Sequence, residues 1–406
     1  MSTQHTRGDV IEWEQARRSV LQAVSSAGRN RRTEQVSLTD AYGRILAEDI
    51  TADRDIPALR RSLRDGFAIR VRDLPGTLRV VSETRAGEPE SGPLQAGEAR
   101  EIMTGAPLLE GAEAVVMVEH VTRPGDGTIT VDTQVQAGQW INDRGAESKR
   151  GTILLRAGMP LDAGGIATLA MIGHSHIVVS ARPTVAVLAT GDEIVEVSEQ
   201  PQAHQIRNSN SYMLRSLARA CGGNPEILPI ARDTHAALKP LLERGLASDM
   251  LIVSGGVSAG RYDLVKPVLR ELGVEFQFER VRIQPGGPCA FGLFNGKPVF
   301  GLPGNPGSTY VTFRLFAEAA LRVLGGETEP VLPLLSARFT ADFHHKPGLT
   351  RFLPARLESD GESLTHIRWQ GSSDVPALAR ANAFLVAEHD RETWRAGDTI
   401  RVLRKL

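Results

Sequence analysis

Cysteine is nearly absent: the 406 residues include two, Cys221 and Cys289. Two thiols without metal-type spacing make neither a disulfide framework nor a zinc site, and they suit a reducing compartment. Charge imbalance is absent as well. Lys plus Arg number 47 and Asp plus Glu 48, for a formal net charge of −1, which argues against a whole-surface nucleic-acid binder and leaves room for a local basic pocket that takes a small anion. No apolar run approaches the roughly 18 residues of a membrane span. The polar start MSTQHTRGDV does not read as a signal peptide. A cytoplasmic protein with no membrane and no nucleic-acid partner is expected. Aromatics are scarce at 5%, whereas glycine (40) and proline (23) are plentiful, so turns and glycine loops carry much of the information. The chain is 41% hydrophobic and 23% charged, enough apolar content for sizeable cores, and at roughly 150 residues per domain its length suggests about three domains.

The opening segment reads as a helix. Asp9 is a candidate cap, Glu12 sits three positions on, and Val10, Trp13, Val20, Leu21 and Val24 share one face. A short helical stretch is expected over 38–48. From about 50 to 160 short strands dominate, including 78–81, 114–118 and 128–131, with Gly125-Asp126-Gly127 as a hairpin signal. Helix returns over 162–172. After Pro183 strands and helices alternate: strands at 184–189, 226–230, 250–253 and 298–300, and helices capped at Asn208, Asp233 and Asp263, with a last one holding Phe313, Phe316, Ala320, Leu321 and Leu324. That alternation predicts a parallel sheet with helices on both faces. Beyond Gly325-Gly326 an all-β tail is expected, with a hairpin at Asp360-Gly361 and a last strand over 399–403.

In an open α/β sheet, ligands bind beyond the carboxyl ends of the strands, where helix N-termini offer unpaired N–H groups. Three loops leave such ends: Ala189-Thr190-Gly191-Asp192-Glu193, Ser254-Gly255-Gly256-Val257-Ser258-Ala259-Gly260, and Gly301-Leu302-Pro303-Gly304-Asn305-Pro306-Gly307-Ser308. The middle loop suits a phosphate cradled by backbone amides, although Arg261-Tyr262 replaces the Lys-Ser/Thr pair of a P-loop. Asp192, Glu193, Asp233 and Asp263 fall at the same edge. Beside a polyanion they make sense as ligands of a divalent cation such as Mg2+, and Asp233 and Asp263 read equally well as plain helix caps. His174 and His176 alternate on a strand, His344-His345 reads as a solvated loop, and Cys289 as a small core residue. No Gly-x-Ser-x-Gly elbow marks a strand-to-helix turn.

The ATGDE, SGGVS and GLPGNP loops, preceded by Arg64-Asp65-Gly66-Phe67-Ala68 and Ile102-Met103-Thr104-Gly105-Ala106-Pro107, closely resemble the MoeA-type molybdopterin molybdotransferases, the family that includes the C-terminal half of gephyrin. The resemblance runs from about residue 10 to the C-terminus. It implies an elongated homodimer of four-domain subunits that inserts molybdate into adenylylated molybdopterin and releases AMP, with Mg2+ or another divalent cation. A molybdopterin adenylyltransferase becomes a candidate partner. The implied fold class is multidomain α/β: a doubly wound, mostly parallel α/β domain, two β-rich domains and an elongated helical domain. The implied division gives the helical linking domain 1–48 and 146–181, an inserted β-rich domain 49–145, the nucleotide- and pterin-binding domain 182–328 and a C-terminal β domain 329–406.

Carried over position by position, the resemblance assigns catalytic roles to Asp65, Thr104, Glu147, Glu193, Asp233 and Asp263, the last two as metal ligands. Substrate contacts fall in the same way to Gly255, Gly256, Val257, Ser258, Pro303, Gly304, Asn305, Pro306, Arg351 and Ser372, and from the residues themselves Arg64, Thr190, Gly191, Asp192, Ser209 and Ser254 are expected beside them. One departure stands out. The family's Lys-Pro-Gly-Lys-Pro reads Gln284-Pro285-Gly286-Gly287-Pro288 here, so two cations beside the expected anion are missing, each charge-assisted bond being worth about 1.5–3 kcal/mol. Arg60, Arg64, Arg144, Lys149, Arg150 and Arg207 are the candidate replacements, with Arg64, next to Asp65, expected to take part. The missing lysines keep open a non-catalytic or tungstate-selective pterin-binding paralogue. An enzyme that only adenylylates molybdopterin is a third reading, which the segments 50–160 and 330–406 disfavour because that reaction needs the α/β domain alone.

Overall fold

Apolar periodicity accounts for most of the elements in the computed structural model, which describes residues 10–27, 32–89, 92–257 and 263–406. Asp9, the expected first cap, and Ser258 lie outside the described residues. The chain forms two compact units, one of residues 1–47, 158–163 and 176–406, the other of residues 48–157 and 164–175. No helix among the described residues is long and apolar enough to cross a membrane.

The first unit opens with α1 (Trp13–Ala27). Its Trp13, Ala16, Val20 and Val24 are buried in the same cluster as the α/β sheet described below. The expected helix over 38–48 is instead a single 3-10 turn at Leu38–Asp40. Gly43, at φ +72°, ends any helical run there, and its N–H bonds to Leu161 O.

The second unit is built on a five-stranded sheet of β1 (Gly66–Ile69), β2 (Gly76–Thr84), β3 (Glu98–Ile102), β4 (Ala114–Met117) and β5 (Thr128–Val131), in the order β4-β1-β3-β2-β5. Phe67, Ile69, Leu78, Ala99, Val116 and Ile129 fill one of its cores. The Gly125-Asp126-Gly127 turn does reverse the chain, but it pairs Thr130 with Thr122 rather than joining β4 to β5, whose sheet partners are β1 and β2. Helix α2 (Ala163–Met171) lies where expected.

The α/β sheet returns the chain to the first unit. The elements of this region are β6 (Thr184–Ala189), α3 (Ser209–Ala220), β7 (Asn224–Ile227), α4 (His235–Leu246), β8 (Met250–Ser254), α5 (Val265–Glu271), β9 (Glu275–Phe278), the short β10 (Ile283–Gln284), which pairs outside the sheet, β11 (Ala290–Phe294), β12 (Lys297–Leu302), α6 (Pro306–Thr312) and α7 (Glu318–Leu324). The sheet order is β7-β6-β8-β12-β11-β9, with β7, β6, β8 and β12 parallel and β11 and β9 antiparallel at one edge. Period-2 alternation sorts the side chains to two faces. Val185, Val187, Met250, Ile252 and Phe300 join α1, α3, α6 and α7 in one cluster, while Ala186, Leu188, Leu251, Val253 and Val299 join α4 and α5 in the other. The strand expected at 226–230 spans Asn224–Ile227, starting two residues and ending three residues earlier; Pro229 has no N–H with which to extend the ladder. The β11–β12 hairpin turns on Asn295-Gly296, both at positive φ (50° and 79°), a strong short-range hairpin signal that the alternation reading passes over. Between α6 and α7 the helix widens into a π turn over Phe313–Ala317.

The tail closes into a barrel: β13 (Leu334–Phe339), β14 (Thr350–Leu357), β15 (Ser363–His366), α8 (Val375–Arg380), β16 (Ala383–Ala387) and β17 (Thr399–Arg404), with β14 meeting both β15 and β16 to complete the ring. Asp360-Gly361 makes the β14–β15 hairpin as expected. The loop expected at His344-His345 is otherwise occupied. His344 pairs with Thr393, and His345 is buried with Nε2 against the carbonyls of Glu388 and Arg391.

Candidate functional site

The three glycine- and proline-bearing loops start level with one another because the parallel register aligns their strand ends. Ala189 pairs with Ser254 and Ser254 with Leu302. Backbone bonds carry the alignment into the loops: Thr190 N–H to Ser254 O at 3.1 Å and Gly255 N–H to Leu302 O at 3.0 Å. Asn210, in the first turn of α3, knots two loops together, its Nδ2 donating to Ser254 Oγ at 2.8 Å and Gly304 O at 2.6 Å. Gly255 has φ +98°, and a Cβ there would stand 2.5 Å from Thr190 O, so only glycine lets the two loops meet. The loops enclose a cavity of about 970 Å³.

The C-terminal barrel supplies another wall. Gly307 N–H bonds to Ser372 O at 2.7 Å, and Asn305 Nδ2 donates to Ser372 Oγ at 2.9 Å. Strand β10 runs parallel to β14 with Gln284 opposite Arg351. Arg351 and Ser372 therefore line the same cavity as Thr190, Gly191, Ser209, Gly255, Gly256, Val257, Pro303, Gly304, Asn305 and Pro306. Arg351 Nε is buried with no protein partner, as expected of a donor kept for a ligand.

Glu193, Asp233 and Asp263 line the cavity. Neither aspartate caps its helix, contrary to the capping alternative. Thr234 is the cap of α4, its side chain accepting from Ala237 N–H, and Leu264 precedes α5 without a side-chain cap. Asp233 Oδ1 instead accepts from Thr190 Oγ1 at 2.5 Å. Asp192 does not line the cavity; its Oδ1 accepts the Asp233 N–H at 3.2 Å and so braces that residue. Ser254 is likewise a brace, buried beneath the loops. Among the described residues no three His, Cys, Asp or Glu form a closed metal cage. Carboxylates in the cavity lining are of the kind that would hold a Mg2+ ion shared with a substrate's phosphates, since Mg2+ characteristically takes one or two carboxylates and keeps the rest of its shell for water and phosphate.

A second group of predicted residues assembles within the other compact unit. Asp65 Oδ1 accepts both the Thr104 N–H at 2.6 Å and the Thr104 hydroxyl at 2.8 Å. Those two bonds, the backbone one foremost, hold the Asp65 carboxyl below the usual carboxylate range. Glu147 Oε1 accepts from Arg61 Nη2 at 2.6 Å and Asn142 Nδ2 at 2.9 Å. Arg64 stacks over the Trp140 ring, 4.7 Å from its centroid.

Asn208 and Asn210 line the cavity too, and both read from the sequence only as helix-cap material. Asn208 does cap α3, accepting from Ser211 N–H at 3.1 Å. Its Nδ2 and Asn210 Oδ1 are buried without protein partners, so each has capacity left for a ligand. An asparagine cap with a second asparagine two residues on, beside the glycine loops, is the signal in the sequence.

The sequence matches family models over most of its length. Residues 11–173 match the MoeA N-terminal region (domain I and II), residues 186–323 a probable molybdopterin binding domain, and residues 336–404 the MoeA C-terminal region (domain IV). The chain is 35% identical over 390 residues to the molybdopterin molybdenumtransferase of Bacillus subtilis strain 168, covering 91% of this chain and 89% of that protein. It is 32% identical over 378 residues to the Staphylococcus epidermidis RP62A protein of the same name, covering 91% and 90%. The crystal structure of the molybdopterin biosynthesis MoeA protein from Pyrococcus horikoshii OT3 matches with a TM-score of 0.82 at 29% identity, covering 98% of this chain and 100% of that one.

Proposed function

The chain belongs to the MoeA family of molybdopterin molybdenumtransferases, and on that premise we propose that it inserts molybdate into an adenylylated molybdopterin and releases AMP with the help of a divalent cation. The observation that carries this reading is one cavity lined by three loop ends of a parallel sheet, by the carboxylates Glu193, Asp233 and Asp263, and by Arg351 with its unpartnered Nε. Its size suits a nucleotide-tagged ligand of several hundred Å³.

Each group has a part in that reaction. Backbone N–H groups around Gly255 and Gly256 suit the nucleotide phosphates. Arg351 and Ser372 hold the oxyanion. Asp233, kept in place by Thr190 and by the brace at Asp192, and Asp263 would hold Mg2+, which neutralises charge on the phosphoanhydride. The substrate's two dithiolene sulfurs bond to the metal of the oxyanion while their protons leave with one oxide as water. Addition of water to phosphorus then breaks the anhydride and frees AMP. The protein contributes position and electrostatics rather than a covalent step. Asp65, Thr104 and Glu147 act, in this reading, on the cavity of a second subunit in a homodimer. An enzyme that adenylylates molybdopterin supplies the substrate and is a candidate partner.

Incubating the full chain with adenylylated molybdopterin, Mg2+ and molybdate, and following AMP by chromatography, tests the proposal; tungstate in a parallel arm reads the preferred oxyanion. Gln284 and Gly287 in the cavity wall favour one second reading, a paralogue that binds the pterin without turnover. Tight pterin binding with no AMP release would establish it. A monomer by light scattering would refute the action across subunits.

A further inference from the structure

The cavity is poor in positive charge for a site that takes anions. Its charged lining, among the described residues, is Glu193, Asp233, Asp263, Arg207 and Arg351. Gln284 and Gly287 stand where the family motif carries lysines, so each remaining guanidinium matters more. Of the six basic residues that the sequence offered as replacements, Arg60, Arg64, Arg144, Lys149 and Arg150 belong to the other compact unit. Arg60 is bonded there to Asp143, and Arg144 to Asp55. Arg207 is the one of the six that belongs to the same compact unit as the cavity, and it lines it.

Arg207 is exposed, and its position is fixed by both backbone and side-chain bonds. Its backbone lies in a short parallel pairing, Ile206–Arg207 against Ile194–Val195, fastened by Ile206 N–H to Glu193 O and Asn208 N–H to Val195 O, both 2.9 Å. Its Nε donates to Glu199 O at 3.0 Å and Nη2 to Gln200 Oε1 at 3.3 Å. Both acceptors are neutral, so they steady the guanidinium without cancelling its charge. Those two bonds use two of five N–H donors. We propose that Arg207 is an anion-binding residue of this cavity, gripping a tetrahedral oxyanion and restoring part of the charge absent at Gln284 and Gly287. The shared chemistry covers molybdate and the phosphate of the bound nucleotide. The inference rests on the reading of the cavity as a molybdate and nucleotide site.

Calorimetric titration of the full chain with molybdate, tungstate and AMP separates the outcomes. Arg207→Ala is expected to weaken at least one anion about tenfold or more, Arg207→Lys to weaken it less, and the salt dependence of binding to flatten. Adding Gln284→Lys to Arg207→Ala is expected to recover several-fold. Loss confined to molybdate and tungstate assigns Arg207 to the metal oxyanion, and loss confined to AMP assigns it to the phosphate. If Arg207→Ala binds all three within twofold of the parent while Arg351→Ala loses the oxyanion, the proposal fails and the reading of the cavity stands. If the parent binds none of them, both fall. If all bind but AMP is never released from the adenylylated pterin, only the catalytic reading falls.

Discussion

Gln284 and Arg351 are register partners across the parallel pairing of β10 with β14, where the α/β domain meets the C-terminal barrel. Both side chains line the cavity. An amide thus stands where the family motif brings an ammonium beside the guanidinium. Gln284→Lys is expected to tighten molybdate binding and, with no anion present, to destabilise the fold by about 0.5 kcal/mol, because like charges then face each other. Thermal melts with and without molybdate check this; a variant as stable as the parent and no tighter for the anion would contradict it.

Gly255→Ala should be costly. The residue combines φ +98° with a Cβ position 2.5 Å from Thr190 O. A loss of about 2 kcal/mol or more is expected in urea unfolding, together with weaker nucleotide binding, because the loops must part. Wild-type affinity and stability would show that the loops have slack.

Thr104→Val removes one of the two hydrogen bonds that depress the Asp65 pKa and leaves the larger backbone one. The Asp65 midpoint is expected to rise part of the way toward the ordinary aspartate value. A depressed carboxyl contributes stability above its unfolded pKa and loses it as pH falls through the folded one, so the variant should lose that contribution at higher pH than the parent. Carbon-detected titration of labelled aspartates measures the shift, and an unchanged midpoint would refute the assigned cause.

Glu318, 2% exposed, sits between Arg314 and Arg322, each 2.9 Å from one of its carboxylate oxygens. Arg314 Nη2 also donates to Arg404 O, and Arg17 reaches from α1 to Leu315 O and Pro330 O. Arg322 keeps a second partner in Glu327, but removing the Glu318 carboxylate takes away the acidic partner of the buried Arg314. Glu318→Gln is expected to destabilise by about 3–5 kcal/mol and to lower the thermal transition markedly. A shift below about 1 kcal/mol would show the cluster to be dispensable.

Both thiols should be silent. Burial pushes the Cys221 pKa up to about 12 and that of Cys289 higher still. A chromogenic disulfide reagent at pH 8 is expected to react only as the chain unfolds; rapid titration of the native protein would contradict this.

Local patterns were the legible part. The run Thr184-Val185-Ala186-Val187-Leu188-Ala189 announces a buried strand, and Asn208 a cap, because both depend on residues a few positions apart. Asp233 carries the same kind of signal, yet Thr234 takes the cap position. Thr ranks a little below Asp as a cap, so which of two adjacent candidates takes the place is decided by where packing pins the helix start.

Alternation and turn chemistry in the chain alone determined the strands, the two-faced sheet and the loops at its edge, since each follows from a period or a residue type in a short window. Folding in three dimensions decided which of those pieces share a hollow. Asn305 meets Ser372 across 67 positions, and Arg207 reaches the cavity through the pairing of Ile206–Arg207 with Ile194–Val195. Such neighbours are set by register and closure over long stretches of backbone, and no short window of sequence contains that geometry.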